Sequence, residues 1–299
     1  MNLLTRNSRI YRQARLLKPA IGAVIGGNIK PLIAYLKYLN LKSKLKRGII
    51  KSFAGDFETL SFALYHCGFN IENQILSLLA LEKPLIIEFP DKCKFYMNHL
   101  FDYFHAGLYV EPKTFNFFKE QIKNAKVFVD VGANIGGYSI RAAKYCKVYS
   151  IEPLPRNYKI LKINEKLNNV KINSFNIAAG NKNGKVKIYY ELGAWGLPSL
   201  KRIQNEFVEV EMKPLDEIIN EESIDLIKID VEGAEDLVLE GARNCLKRTK
   251  MVIIEYNDES FLKAYRILKE EDFKLRKFFG YYYKIRQKKI GIQNILLTK

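Results

Sequence analysis

Three charged residues alternate with aliphatic ones in Ile227-Lys228-Ile229-Asp230-Val231-Glu232. Alternate residues of a strand share a face, so Lys228, Asp230 and Glu232 point one way and Ile227, Ile229 and Val231 the other. A strand inside a parallel sheet is ordinarily apolar on both faces. Three charges near a sheet interior are costly unless they pair or bind something. Together they could take a proton from a hydroxyl: Asp230 or Glu232 as the base, with Lys228 holding it ionised. A plainer role is available, in which Asp230 or Glu232 caps a helix expected from about Gly233 and complements its dipole. Capping accounts for one acid or two, but not for the alternating set.

A second stretch points to the same place. Val127, Phe128, Val129 and Val131 make a short β-forming run that Gly132 ends, and a helix is expected from Tyr138 to Cys146. Strand, glycine turn and helix bring backbone N–H groups close to a ligand, and Asp130 adds a carboxylate there. The turn Gly132-Ala133-Asn134-Ile135-Gly136 is not the dinucleotide fingerprint, because Ala133 follows Gly132 directly. There is no Gly-Lys-Ser/Thr, so a P-loop is excluded. Glu152, followed by Pro153, ends the next strand 20 residues after Gly132, where an acid can accept both hydroxyls of a ribose. Asn176, beside Ile177-Ala178-Ala179-Gly180, offers an amide where a flat base could lie. A cofactor with a ribose and an adenine but no pyrophosphate fits this set.

Positioning these residues requires an open sheet, whose ligands bind beyond the carboxyl ends of its strands. Strands are expected at 126–131, 147–151, 170–175, 224–230, 250–255, 273–278 and 291–297, and helices at 137–146, 155–168, 233–247 and 258–271. Such alternation implies parallel pairing through right-handed crossovers. Only Gly280 to Lys289 separates the last two strands, so the sheet should finish in an antiparallel hairpin. A further strand pair, about 185–191 and 207–212, brackets a glycine-rich loop with the sole tryptophan, Trp195. Packing is the simpler role for that ring, and a platform for a sugar the sharper one. Ahead of residue 126, Leu85 to Phe89 reads as a strand and Pro112 opens a helix. Phe57 to Leu64 and Glu72 to Leu81 look helical, and Tyr103, Phe104, His105 and Tyr109 form an aromatic patch of the kind that packs a core. Three regions result: a basic, helical extension over 1–55, a small, mostly helical preface over 56–125, and a nucleoside-binding domain over 126–299.

The charge is unevenly placed. Of the net +17, residues 1–55 supply twelve Lys or Arg and no Asp or Glu, which leaves +5 for residues 56–299. A solvated basic helix face explains this as well as an anionic membrane surface or other acidic partner does. The four cysteines, Cys67, Cys93, Cys146 and Cys245, are far apart and only three histidines exist, so zinc sites and disulfides are not expected. A reducing, cytoplasmic setting fits, peripheral to the membrane where the basic extension engages it. Pro19 to Ile29 is too short to span a membrane, and no signal peptide is expected, though an Arg-rich, acid-free start also suits an organelle transit peptide.

Asp-Val-Gly-Ala-Asn-Ile-Gly (130–136), Glu152-Pro153, Ile227-Lys-Ile-Asp-Val-Glu-Gly-Ala-Glu235 and Ile254-Glu255 resemble, in this order, the FkbM-type S-adenosylmethionine-dependent methyltransferases. The resemblance covers about residues 100–299. It implies an α/β class I (Rossmann-like) methyltransferase fold, with a seven-stranded, mostly parallel sheet and a terminal antiparallel strand. It implies S-adenosylmethionine as cofactor, with Asp130, Gly132, Ala133, Asn134 and Gly136 along its methionine and ribose and Tyr138 and Ser139 opening the helix beside it. Glu152 with Pro153 would hold the ribose hydroxyls, Asn176 would lie near the adenine, and Asp230 would face the methyl group. The implied reaction is O-methylation of a sugar or glycoconjugate, with Asp230, Glu232 and Lys228 as the catalytic group. Asn257 departs from the histidine that many relatives carry after the fifth strand's glutamate. No metal ligand is assigned, although Asp230, Glu232 and Glu255 could together hold a divalent cation. Methylation of RNA is a rival suggested by the basic start, but the Asn/Asp-Pro-Pro-aromatic sequence expected for base amino groups is missing. A nicotinamide-linked oxidoreductase is disfavoured by Ala133 and Asn134, and a cofactor-free glycan-binding or membrane-assembly protein on the same scaffold is the remaining class.

Overall fold

The computed structural model describes residues 80–99, 102, 105–106, 111–190, 206–256, 260–284 and 289–299. The expectations for the basic extension, the helical segments between residues 57 and 79, Trp195 and Asn257 lie outside these residues, as do Tyr103, Phe104 and Tyr109 of the aromatic patch. Ala80–Lys299 form one compact unit.

Its centre is a seven-stranded sheet. Strands β3 (Val127–Val131), β4 (Lys147–Ile151), β5 (Asn173–Phe175), β9 (Ile224–Ile229), β10 (Thr249–Glu255), β11 (Lys274–Lys284) and β12 (Lys289–Thr298) lie in the order β11-β12-β10-β9-β3-β4-β5. Strands β5, β4, β3, β9 and β10 pair in parallel. Strand β12 runs antiparallel to both β10 and β11, which is the closing hairpin expected from the short connection. Among the described residues, five strands are outside this sheet. β1 (Ala80–Glu88) and β2 (Lys94–His99) make a hairpin. β7 (Gly184–Tyr190) and β8 (Glu206–Lys213) form the expected antiparallel pair, and the short β6 (Ala178–Ala179) joins β8.

Periodicity explains the middle of the sheet. Every residue of β3 and of β9 is buried. Val129, Val131, Ile151, Ile227 and Ile229 join one apolar cluster with Val238, Leu239, Ala264 and Leu268 from the covering helices. On the opposite face Phe128 packs against Phe118 of helix α1 (Pro112–Ile122), with ring centroids 5.1 Å apart, and Phe118 meets Tyr138 edge-on at 4.7 Å.

The helices after the strands are shorter than the sequence suggests. Helix α2 covers only Ser139–Ala142, because the chain tightens into i→i−3 bonds from Lys144 to Arg141 and from Tyr145 to Ala142. α3 (Pro155–Leu167) fills the span expected at 155–168 and opens on a proline, and a one-turn α4 (Leu215–Ile218) leads into β9. The single helix expected over 233–247 is instead α5 (Glu235–Glu240) and α6 (Arg243–Lys247). Gly241 sits at the break, where a Cβ would fall 1.9 Å from the Gly180 carbonyl oxygen. α7 (Phe261–Glu270) packs behind β10 and leads to β11.

Candidate active site

The chemistry gathers at the carboxyl ends of β3, β4, β5, β9 and β10. Gly132 leaves β3 with φ +83°, and a Cβ there would lie 1.8 Å from the Asp230 carbonyl oxygen. The glycine is therefore required where two strand ends touch, whatever else binds there. Gly132 and Ala133 donate their N–H groups to the Ile151 carbonyl, which fixes the turn against the end of β4.

Lys228 and Asp130 are register partners on β9 and β3 and share a face. Both are buried. Asp130 Oδ2 accepts the Ser139 hydroxyl at 2.5 Å, and Ser139 Oγ lies 2.6 Å from Ser150 Oγ. Asp130 and Ser139 thus hold each other inside the protein. Burial pushes the Asp130 carboxyl up to about 6, against the opposing pull of Lys228 and the serine bond. Tyr138 is buried too, its ring 4.7 Å from the Lys228 ammonium.

Beyond Lys228 the strand ends at Ile229, and the acids leave it in two ways. Asp230 Oδ2 lies 2.6 Å from Lys228 Nζ; the lysine side chain is 3% exposed and the aspartate 30%. Burial works to raise the Asp230 pKa, but the ammonium outweighs it and holds the carboxyl below its ordinary value. Glu232 adopts a left-handed backbone, φ +53°, before Gly233 at φ +101°. Such a conformation costs a bulky residue about 1–3 kcal/mol and is concentrated at functional sites. The turn brings oxygens of Asp230, Glu232 and Glu255, from the end of β10, within 4.8 Å of one another. Three carboxyl groups that close cannot all be ionised without a cation. Burial first, then the charges of Asp230 and Glu232, push Glu255 well above the ordinary glutamate range. The same oxygens could be shared by a divalent cation.

Capping does not explain these acids. α5 begins at Glu235, its N-cap is Ala234, and no side chain caps it. Glu235 instead accepts the Gly233 N–H at 2.9 Å and the Ser260 hydroxyl, tying the β9 turn to the start of α7.

At the end of β4, Glu152 is 2% exposed. Its Oε2 accepts the Asn134 N–H at 2.8 Å and its Oε1 the Leu154 N–H at 3.0 Å. Burial raises its pKa to about 7 despite these bonds. Asn157 Nδ2 also reaches Oε1, at 3.5 Å, so Oε2 keeps the lone pair best able to accept a hydroxyl. Asn176 spends its amide N–H groups on the carbonyls of Glu152 and Pro153, at 2.8 and 2.9 Å, which leaves its Oδ1 as an acceptor. The arrangement suits a nucleoside with a positively charged neighbour group: acids and acceptors stand at the strand ends. Gly132, Asn134, Pro153, Asn176, Asp230 and Glu232 are the partly exposed members, while Asp130, Ala133, Gly136, Tyr138, Ser139, Glu152 and Lys228 are buried behind them.

Several residues of this corner carry no motif. Glu111, just ahead of α1, lies 3.6 Å from Lys228 through Oε1 and accepts Asn294 Nδ2 at 2.6 Å through Oε2. His105 is close enough to Asp102, Asp230, Arg156 and Lys228 to feel their charges, and burial brings its pKa down to about 4. Arg141 donates to the carbonyls of Ala106 and Gly137 at 2.7 and 2.8 Å and to Asp91, fastening the hairpin of β1 and β2 to the glycine turn. Nothing in the spacing of these residues marks them; only the folded chain brings them together.

The strand order, the terminal antiparallel strand and the acid-lined strand ends define a class I methyltransferase fold, as expected. More particularly, residues 130–275 match the methyltransferase FkbM domain, so the chain carries an FkbM-type, S-adenosylmethionine-dependent methyltransferase domain. A curated relative, the 2-O-methyltransferase NoeI of Sinorhizobium fredii, is 28% identical over 162 residues; the match covers 46% of this chain and 66% of that protein. Among solved structures, the methyltransferase FkbM of Methylobacillus flagellatus is 18% identical at TM-score 0.41, covering 67% of this chain and 53% of that one. The M. jannaschii tRNA m1G37 methyltransferase is 14% identical at TM-score 0.42, covering 72% and 56%. These structural likenesses are distant, and the fold assignment rests on the strand order itself.

Proposed function

We propose that this protein transfers a methyl group from S-adenosylmethionine to a hydroxyl of a sugar or glycoconjugate. One observation carries the reading: Asp230 is partly exposed at the end of β9, with Lys228 2.6 Å behind it. An aspartate so held is an anion throughout the neutral range and is free to accept a proton. The name of the curated relative, a 2-O-methyltransferase, supports a hydroxyl acceptor.

When bound, S-adenosylmethionine supplies an electrophilic methyl group whose departure leaves a neutral thioether, so no acid is needed on that side. Glu152 would accept the ribose hydroxyls, Asn176 Oδ1 would face the adenine, and the Gly132–Gly136 turn would lie along the ribose and methionine. Asp230 orients the acceptor hydroxyl and takes its proton as the oxygen becomes the nucleophile. Lys228 keeps Asp230 ionised. Glu255, its pKa raised by burial and by the neighbouring acids, stands beside it, and Glu232 adds a second acceptor at the mouth. Alignment and exclusion of water do the remaining work.

No described helix is long and apolar enough to cross a membrane. A cytoplasmic protein whose residues 1–55 meet an anionic membrane surface is the arrangement we favour for reaching envelope glycans. The test is incubation with isotopically labelled S-adenosylmethionine, extracted envelope glycans and total RNA. Label in the glycan fraction, stable to mild base, is expected; label in RNA alone would overturn the acceptor class.

A further inference from the structure

Lys228 is shared by two carboxylates, and one of them lies outside the FkbM domain. Its Nζ is 2.6 Å from Asp230 Oδ2 and 3.6 Å from Glu111 Oε1. Glu111 is 8% exposed. Its other oxygen accepts Asn294 Nδ2 at 2.6 Å, and the same nitrogen is 3.2 Å from Thr114 Oγ1 on α1. Asn294 pairs with Glu255 in the register of β12 and β10, so it is anchored beside the carboxyl cluster. A continuous path therefore runs from Asn294 through Glu111 and Lys228 to Asp230. Its first two members flank residues 130–275 on either side.

We propose that Glu111 is a positioning residue of the methyl-transfer site: it holds the Lys228 ammonium between itself and Asp230, and so sets where that carboxylate and its charge stand, without touching the acceptor. The inference rests on reading Asp230 as the base. An ammonium has three N–H donors on a flexible stem. Facing Asp230 alone, it would centre on that carboxylate and weaken it as a base. Glu111 draws the ammonium back. Asn294, itself bonded to Thr114, keeps Glu111 in place, and the Tyr138 ring bounds the lysine on another side. The other charged or titratable groups around this pair are Asp130, facing Lys228 from β3, the Tyr138 hydroxyl, facing Glu111, and His105, Glu232 and Glu255, facing Asp230.

The test is a double-mutant cycle read in kcat and its pH profile. Glu111→Gln keeps the shape and can still accept from Asn294, but removes the charge. It should lower kcat about tenfold and move the acid limb of the profile to lower pH, with affinity for S-adenosylhomocysteine changed less than about twofold. In a Lys228→Met background, Glu111→Gln should change kcat less than about twofold, because it has nothing left to act through. An equal loss in both backgrounds, or an acid limb that does not move, overturns the proposal. If Lys228→Met does not fold, judged by circular dichroism, Asn294→Ala replaces it, since it loosens Glu111 with every charge in place. A loss in Asn294→Ala that disappears when combined with Glu111→Gln supports the proposal; unchanged turnover in Asn294→Ala overturns it. Asp230→Asn is assayed alongside. Wild-type turnover there would remove the base assignment itself, whereas an inactive Asp230→Asn with no Glu111–Lys228 coupling would remove only this inference.

Discussion

Glu152 shows how burial and chemistry meet in one side chain. In its proposed role as acceptor of the ribose hydroxyls this side chain would act as an anion, yet burial raises its carboxyl from 4.5 to about 7. A carboxyl whose pKa is higher folded than unfolded favours folding most while protonated. Its contribution is complete below 4.5 and declines as pH rises to about 7. Cofactor binding should run the other way. S-adenosylhomocysteine affinity, measured by calorimetry, should weaken about tenfold per pH unit below 7, because a proton must leave before the hydroxyls can be accepted. Glu152→Gln should bind more weakly at pH 8 and lose that slope. A slope that survives in the variant would assign it to another group, Asp130 being the nearest in pKa.

At the scale of elements, the glycine turn and the end of β9 form one unit. Gly132 lets the β3 turn come against the Asp230 carbonyl, and Asp230 returns its N–H to the Val131 carbonyl at 3.0 Å. Gly132→Ala should lose at least about 1–3 kcal/mol from its left-handed backbone alone, and more from the collision. A fall in melting temperature together with lost turnover is expected, and a wild-type melting temperature would contradict the close approach. The strands and their charged ends were legible in the sequence, since each motif lies within a few consecutive residues. What spacing could not reveal was long-range. The helix expected over 233–247 breaks at Gly241, whose backbone lies close against Gly180, and the chain turns left-handed at Glu232 and Gly233. Both follow from neighbours that are remote or from a backbone choice local patterning does not fix.

On the scale of the whole unit, the site is assembled from both ends of the chain Ala80–Lys299. Glu111 and Asn294 meet although 183 residues separate them, and no sequence window contains both. Burial sorts the expected site residues into a partly exposed set at the strand ends and a buried set behind it, and Glu152 is the buried side chain proposed to reach the cofactor. The account depends on Asp230 as the group that takes the acceptor's proton. Its most direct test is Asp230→Asn, assayed for methyl transfer with S-adenosylmethionine saturating and for S-adenosylhomocysteine binding by calorimetry. We expect binding within a few-fold of wild type and transfer slower by about 10²–10⁴. Turnover at the wild-type rate would contradict the account.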